Sequence, residues 1–127
     1  MPDWSIKIVT VAHPRPDFKA EFLPDLSNAK RGDPLKVQQG DLVGWNNTTG
    51  DQHWPWLVTS AHAPPTDPPP NNNYLTTSAV PPASPSDYYY VDVPAATTLY
   101  YCCKLHTGER GSIVVVPFVQ SADAPTS

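Results

Sequence analysis

Near the C-terminus the sequence runs Tyr101-Cys102-Cys103-Lys104-Leu105-His106-Thr107-Gly108-Glu109-Arg110-Gly111-Ser112-Ile113-Val114-Val115. The β-branched run after Gly111 predicts a strand, and the apolar residues that lead into Cys103 predict another. Between them a thiol, an imidazole and a carboxylate follow at intervals of three residues, at Cys103, His106 and Glu109. A loop that leaves one strand and enters the next can curl these side chains around one point. The spacing therefore indicates a metal site.

The donor atoms of this loop do not by themselves select a metal. Thiolate sulfur is a soft donor, imidazole nitrogen a borderline one and carboxylate oxygen a hard one. Catalytic zinc sites use mixtures of these donor types and leave one position open. On this chemistry alone zinc and copper are both candidates, and one more imidazole would complete a four-ligand site.

Strand patterns dominate the rest of the chain. Apolar and polar residues alternate over residues 4–8 and again over residues 18–22, which predicts two half-buried strands. Further strand-like runs, broken by Gly, Pro, Asn and Asp, lie at residues 35–38, 42–45, 88–93, 99–103 and 113–119. Seven short strands with frequent turns predict an all-β sandwich. The length of 127 residues suits one domain that spans residues 1–127.

The 17 prolines are spread through most of the chain and argue against long helices. The best helical candidate is a single turn near Leu75. Eight prolines fall within residues 62–86, which predicts a long surface loop or irregular edge inside the domain. The polar residues 120–127 predict a frayed tail.

Composition excludes several classes of partner. Only 16% of the residues are charged and the formal net charge is −4, so the chain offers no basic stripe for nucleic acid and no polybasic patch for anionic lipid. No stretch approaches the roughly 20 consecutive apolar residues that a membrane helix needs. The start of the chain lacks the layout of a signal peptide. We expect a natural leader to have been replaced by Met1, which predicts a periplasmic or secreted protein.

Three further segments, taken with residues 101–115, resemble the cupredoxins, in particular the plastocyanin and amicyanin type. Residues 37–47 resemble the family pattern Val-x-x-Gly-Asp-x-Val-x-Trp-x-Asn, and residues 51–55 place a histidine, His53, shortly after it. Residues 93–101 match the strand that approaches the ligand cysteine. The resemblance implies a Greek-key β-sandwich and one copper ion that cycles between Cu(II) and Cu(I). It also implies ligation by His53, Cys103 and His106, the trigonal ligand set of electron-transfer sites.

Glu109 departs from the family pattern, in which the weak axial ligand is usually methionine. The only methionine of this chain is Met1, so axial methionine is excluded. Nitrosocyanin, a red copper protein, is a family precedent for glutamate ligation, and we expect Glu109 to be an axial ligand that favours Cu(II) and lowers the reduction potential. The alternative is that Glu109 faces solvent or pairs with Arg110 or Lys104.

Cys102 points away from Cys103 in strand geometry, which predicts a small apolar packing residue. Trp54 and Trp56 share one face of a strand, where they either cap the core or form an apolar rim for a redox partner near His106. His13 and His62 have no ligand spacing and are predicted to lie in loops.

The leading hypothesis is an electron carrier rather than an enzyme, because no nucleophile triad and no phosphate loop accompany the metal cluster. The alternatives are a red-copper enzyme or small-molecule sensor with an open coordination position, and a module that stores or delivers copper.

Overall fold

The computed structural model describes residues 3–118. The predicted frayed tail at 120–127 and the end of the last predicted strand, Val119, lie outside the described residues. Nine strands form within them: β1 (Asp3–Arg15), β2 (Phe18–Pro24), β3 (Leu35–Val37), β4 (Leu42–Asn47), β5 (Pro55–Val58), β6 (Ser84–Pro85), β7 (Tyr89–Tyr90), β8 (Thr98–Cys103) and β9 (Arg110–Val115). The all-β prediction is confirmed for this part of the chain.

The strands form two mixed sheets. In the first sheet β1 lies between β2, to which it is antiparallel, and β4, to which it is parallel; β4 also pairs with β6 and β7. In the second sheet the order is β3-β9-β8-β5, and only the β3–β9 pair is parallel. The strands β8 and β9 are therefore the two central strands of the second sheet, and each pairs with a neighbour on both sides. The loop between them is held at both ends by these central strands.

The core draws side chains from both sheets because alternate residues of each strand face inward. Tyr101 of β8 stands between the sheets: its ring meets Phe22 edge-on at 4.8 Å and Trp45 at 5.5 Å, measured between ring centroids. Each buried side chain of this size contributes about 1.5–3 kcal/mol relative to full exposure. This packing fixes the position of β8 two residues before Cys103.

Several local predictions differ from the structure. Strand β1 extends beyond the predicted residues 4–8 to Arg15, the predicted run at 88–93 forms a strand only over Tyr89–Tyr90, and β6 forms inside the predicted proline-rich loop. The single helical turn described in residues 3–118 is a 3₁₀ turn at Pro70–Asn72, not a turn at Leu75. The predicted strand-like runs do not include β5, although Trp54 and Trp56 are predicted to share a strand face. All four residues of β5 are buried, so its sequence, Pro-Trp-Leu-Val, shows no polar alternation. The described part of the chain has no helix of the length and apolarity that a membrane crossing requires.

The proline-rich segment, residues 62–86, is mostly irregular as predicted, yet it is not confined to the surface. Leu75 is 2% exposed and Val80 is 1% exposed, so both belong to the interior. The backbone of Val80 forms an isolated antiparallel bridge with His53, through N–H···O contacts of 3.2 and 2.8 Å. This segment therefore positions the backbone of a predicted metal ligand.

Candidate metal centre

The four predicted site residues lie together at one end of the sandwich. The candidate ligand atoms of His53, Cys103, His106 and Glu109 all lie within 4.8 Å of one another. Cys103 is the last residue of β8, His106 and Glu109 belong to the loop between β8 and β9, and His53 precedes β5. Two separate parts of the chain thus contribute to the cluster.

Backbone hydrogen bonds give the loop after β8 its shape. The N–H of His106 donates to the carbonyl of Cys103 and the N–H of Glu109 donates to the carbonyl of His106, at 3.2 and 3.0 Å. The N–H of Cys103 donates to the carbonyl of Glu109 at 2.9 Å and closes the loop. These turns span three residues each, which is why residues at that spacing present their side chains to one point.

Gly108 allows the loop to approach the turn between β1 and β2. Its N–H donates to the carbonyl of Asp17 at 2.8 Å. A Cβ atom at this position would lie only 2.8 Å from the same carbonyl oxygen, so a side chain would push the loop away. The glycine therefore serves the close contact between the ligand loop and the first sheet.

His53 is fully buried, and a hydroxyl fixes its ring orientation. Its Nε2 lies 3.0 Å from Oγ1 of Thr49, and that hydroxyl also lies 2.8 Å from Oδ1 of Asn47. With Nδ1 bound to a metal, Nε2 would carry the ring proton and donate it to this hydroxyl, which can in turn donate to the amide oxygen. The other ring nitrogen, Nδ1, faces the cluster, an arrangement typical of histidine ligands. The sequence did not reveal the role of Thr49.

The Cys103 sulfur lies 3.5 Å from Nδ1 of His106 and 3.9 Å from Nδ1 of His53, and it accepts a hydrogen bond from the N–H of Trp54 at 3.3 Å. Burial raises the pKa of the Cys103 thiol from 9.0 to about 12; the N–H of Trp54 lowers it and the negative charge of Glu109 raises it. The thiol is thus protonated at neutral pH, and metal binding would have to release that proton.

Glu109 is fully buried and turned toward the two histidines. Its Oε1 lies 2.8 Å from Nδ1 of His53 and 3.4 Å from Nδ1 of His106. Its Oε2 accepts hydrogen bonds from the backbone N–H groups of Lys19 and Ala20, at 2.7 and 2.9 Å.

The alternative with Glu109 in solvent or paired with a neighbouring cation is therefore wrong. Arg110 donates instead to the carbonyls of Thr107, Ala61 and Ala63. The Nζ of Lys104 lies 3.2 Å from Asp67.

The donor set fits a transition-metal ion. Ligand atoms about 2.0–2.3 Å from a tetrahedral metal lie roughly 3.3–3.8 Å apart. The Cys103–His106 and His106–Glu109 distances, 3.5 and 3.4 Å, fall in this range, and the Cys103–His53 distance of 3.9 Å is slightly longer. The His53–Glu109 distance of 2.8 Å is that of a hydrogen bond, so this pair would have to separate slightly around an ion.

The remaining predicted residues lie around the cluster. Cys102 is fully buried, as predicted for a packing residue. His62 lies in an exposed turn, whereas His13 is exposed but belongs to strand β1, so its predicted loop position is wrong. Trp54 and Trp56 share a face, with ring centroids 5.1 Å apart, and the Nζ of Lys104 lies above both rings. Trp56 is 2% exposed, which favours the core-capping interpretation for that residue.

We expect the metal-free protein to lose stability as the pH rises from about 9 to about 12. Over that interval the unfolded chain ionises Cys103 while the folded state keeps the thiol protonated, so each pH unit costs about 1.4 kcal/mol and the total is on the order of 4 kcal/mol. Burial also raises the pKa of Tyr101, which acts in the same direction. Urea unfolding of the wild type and Cys103→Ser across this range measures the effect. An equal fall in the free energy of unfolding between pH 9 and about 12 in the two proteins would contradict the role of Cys103.

Comparison of the sequence with protein-family models and with curated proteins gives no match. Among solved structures, reduced rusticyanin is similar with a TM-score of 0.54 and 21% identity, covering 89% of this chain and 77% of that one. The McoA multicopper oxidase of the hyperthermophile Aquifex aeolicus has a TM-score of 0.52 and 15% identity, over 89% of this chain and 26% of the oxidase. A reduced amicyanin mutant has a TM-score of 0.47 and 20% identity, over 85% and 90% of the two chains.

These likenesses concern the fold. The chain has the β-sandwich fold of the cupredoxins, as the sequence predicts. At one end of that sandwich it carries a cluster of two histidines, a cysteine and a glutamate.

Proposed function

We propose that the protein is a mononuclear copper protein that transfers electrons, with copper bound by His53, Cys103, His106 and Glu109. The observation that carries the proposal is the convergence of these four donor atoms within 4.8 Å at one end of a cupredoxin sandwich. A thiolate with two imidazoles is the ligand set of electron-transfer copper sites. Bound copper would supply one-electron chemistry between Cu(II) and Cu(I).

The surrounding residues support electron transfer more than ligand exchange. His53, Cys103 and Glu109 are fully buried, and only 12% of the His106 side chain is exposed. A substrate or gas molecule would have to pass this shell to reach an open coordination position. The exposed edge of His106 and the neighbouring Leu105, which is 46% exposed, instead offer a short path to a partner protein. An enzyme, a sensor or a copper-delivery module is thus the weaker alternative.

The partner surface is proposed to centre on Leu105 and the His106 edge. An exposed apolar residue beside a metal ligand allows close approach of a redox partner, since aromatic and apolar residues are enriched in the centre of interfaces. Trp56 is too deeply buried to contribute contact area, whereas the half-buried Trp54 lies at the margin. A periplasmic or secreted location stays a prediction.

Loss of the copper–thiolate absorption in one variant tests the proposal. The copper-loaded wild type should show a strong charge-transfer band in the visible spectrum and a Cu(II) EPR signal, because Cys103 supplies the thiolate. Cys103→Ser should abolish the band. Cys102→Ser is the matched control, since it changes the adjacent buried cysteine on the opposite face and should keep the band. A wild type without any such band, or a band that depends on Cys102, would refute the copper–thiolate site.

A further inference from the structure

Two consecutive backbone amides of β2 converge on a single carboxylate oxygen. The N–H groups of Lys19 and Ala20, called here the β2 amide pair, donate to Oε2 of Glu109 at 2.7 and 2.9 Å. These residues are about 90 positions away from Glu109 in sequence. Glu109 is thus fixed by an element outside the ligand loop.

This convergence requires an irregular strand. Successive N–H groups of a regular strand point toward opposite edges, so that they do not reach one atom. The register of β1 with β2 shifts between Thr10 and Arg15, opposite the start of β2, as in a β-bulge. Bulges re-aim groups beside functional sites, and consecutive N–H groups that turn toward one point form an anion-binding hollow.

The β2 amide pair constrains how Glu109 can bind a metal. Oε2 is occupied by two hydrogen bonds from rigid backbone, whereas Oε1 faces Nδ1 of both histidines. A carboxylate can do both at once, because one oxygen accepts the hydrogen bonds of the β2 amide pair while the other is free to bind a metal. Backbone donors to a buried carboxylate are charge-assisted and hold it more strongly than neutral hydrogen bonds do.

We propose that the β2 amide pair positions Glu109 as a ligand through Oε1 alone and selects a carboxylate over an amide at position 109. The inference rests on the proposed function, and it adds that β2 determines which atom is offered to the metal. A glutamine cannot meet both demands, since its NH₂ group neither accepts a hydrogen bond from the β2 amide pair nor ligates copper. With its oxygen on the β2 amide pair, Glu109→Gln would therefore leave the metal without the fourth ligand.

Glu109→Gln and Glu109→Ala together test this inference in the full-length protein. Amide exchange of Lys19 and Ala20, measured by NMR on the metal-free and Cu(I)-loaded forms, should be slow in the wild type and in Glu109→Gln. In Glu109→Ala it should be at least tenfold faster. The Cu(II) absorption and EPR spectra of Glu109→Gln should then coincide with those of Glu109→Ala and differ from the wild type. Glu21→Gln is the control, because it makes the same chemical change in β2, two residues after Lys19, without altering Glu109. Its amide exchange and its Cu(II) spectra should match those of the wild type.

Two results would overturn the inference. Fast exchange of Lys19 and Ala20 in the wild type would show that β2 does not hold the carboxylate. Loss of protection in copper-loaded Glu109→Gln, with a spectrum unlike Glu109→Ala, would show that the amide oxygen has turned to the metal. Absence of a thiolate band in the wild type would refute the proposed function instead, while amide exchange in the metal-free form still decides whether β2 fixes Glu109.

Discussion

Replacing Glu109 by leucine should raise the reduction potential of the bound copper and lower the stability of the protein. A charged oxygen donor stabilises Cu(II) more than Cu(I), and each tenfold loss of that preference raises a one-electron potential by about 59 mV. A roughly hundredfold loss corresponds to a rise of about 120 mV. Leucine also leaves two N–H groups without their acceptor: the loss costs about 1–3 kcal/mol at the buried Ala20 and less at the part-buried Lys19.

Voltammetry of the copper-loaded protein and urea unfolding of the metal-free protein measure the two effects of Glu109→Leu separately. Asp51→Asn is a suitable control, since it removes an exposed negative charge two residues from His53 without touching the cluster. We expect a small change in potential and in stability for this control. A Glu109→Leu variant with the potential and the free energy of unfolding of the wild type would contradict the ligand role and the structural role together.

Replacing Gly111 by alanine should destabilise the protein strongly and distort the metal site. The added Cβ would lie 2.5 Å from Oη and 2.6 Å from Cζ of Tyr101, well inside van der Waals contact. Tyr101 is 2% exposed and packs against the rings of Phe22 and Trp45, so displacing it would disrupt the core. Overpacking of this kind typically costs 1–3 kcal/mol, and the value here should be about 3 kcal/mol or more.

A double-mutant cycle identifies the cause of the Gly111→Ala loss. In a Tyr101→Leu background the ring is gone, so the additional cost of Gly111→Ala should fall markedly. Gly50→Ala is the control, because a Cβ there meets no atom within 4 Å. The Cu(II) spectrum should also change in Gly111→Ala, since Cys103 lies two residues after Tyr101 in β8 and Glu109 lies two residues before Gly111, at the end of the loop that leads into β9. Equal costs in both backgrounds would refute the steric explanation.

The sequence predicts the regular part of the fold because burial on one face leaves a two-residue period. Strands β1 and β2 show that alternation: β2 was predicted close to its observed bounds, whereas the prediction for β1 covered residues 4–8 and missed its mostly exposed continuation to Arg15. Strand β5 is buried on both faces and begins with a proline, so its pattern is indistinguishable from any short apolar run. Val80 and Leu75 are buried within a proline-rich segment because tertiary contacts, not local pattern, draw them inward.

The grouping of the candidate site was predictable because three of its residues follow one another at intervals of three, from the end of β8 into the next loop, and the fourth follows a recognisable pattern. The contacts that orient these side chains were not predictable from the sequence. Thr49 is an ordinary loop threonine in the sequence, and its bond to His53 depends on the path of the intervening turn. The β2 amide pair involves backbone atoms, which carry no side-chain signal, and joins positions about 90 residues apart.

The bridge between Val80 and His53 bears on any attempt to transplant this centre into another scaffold. Exchanging only Cys103 and the loop between β8 and β9 would carry three of the four candidate ligands, yet the recipient would have to supply a matching support for His53. In this chain that support is the irregular, proline-rich segment 62–86, which a designer would be inclined to shorten. The smallest transferable unit therefore comprises four pieces: the ligand loop, the His53 turn, the stretch of backbone around Val80 and the β2 amide pair that holds Glu109.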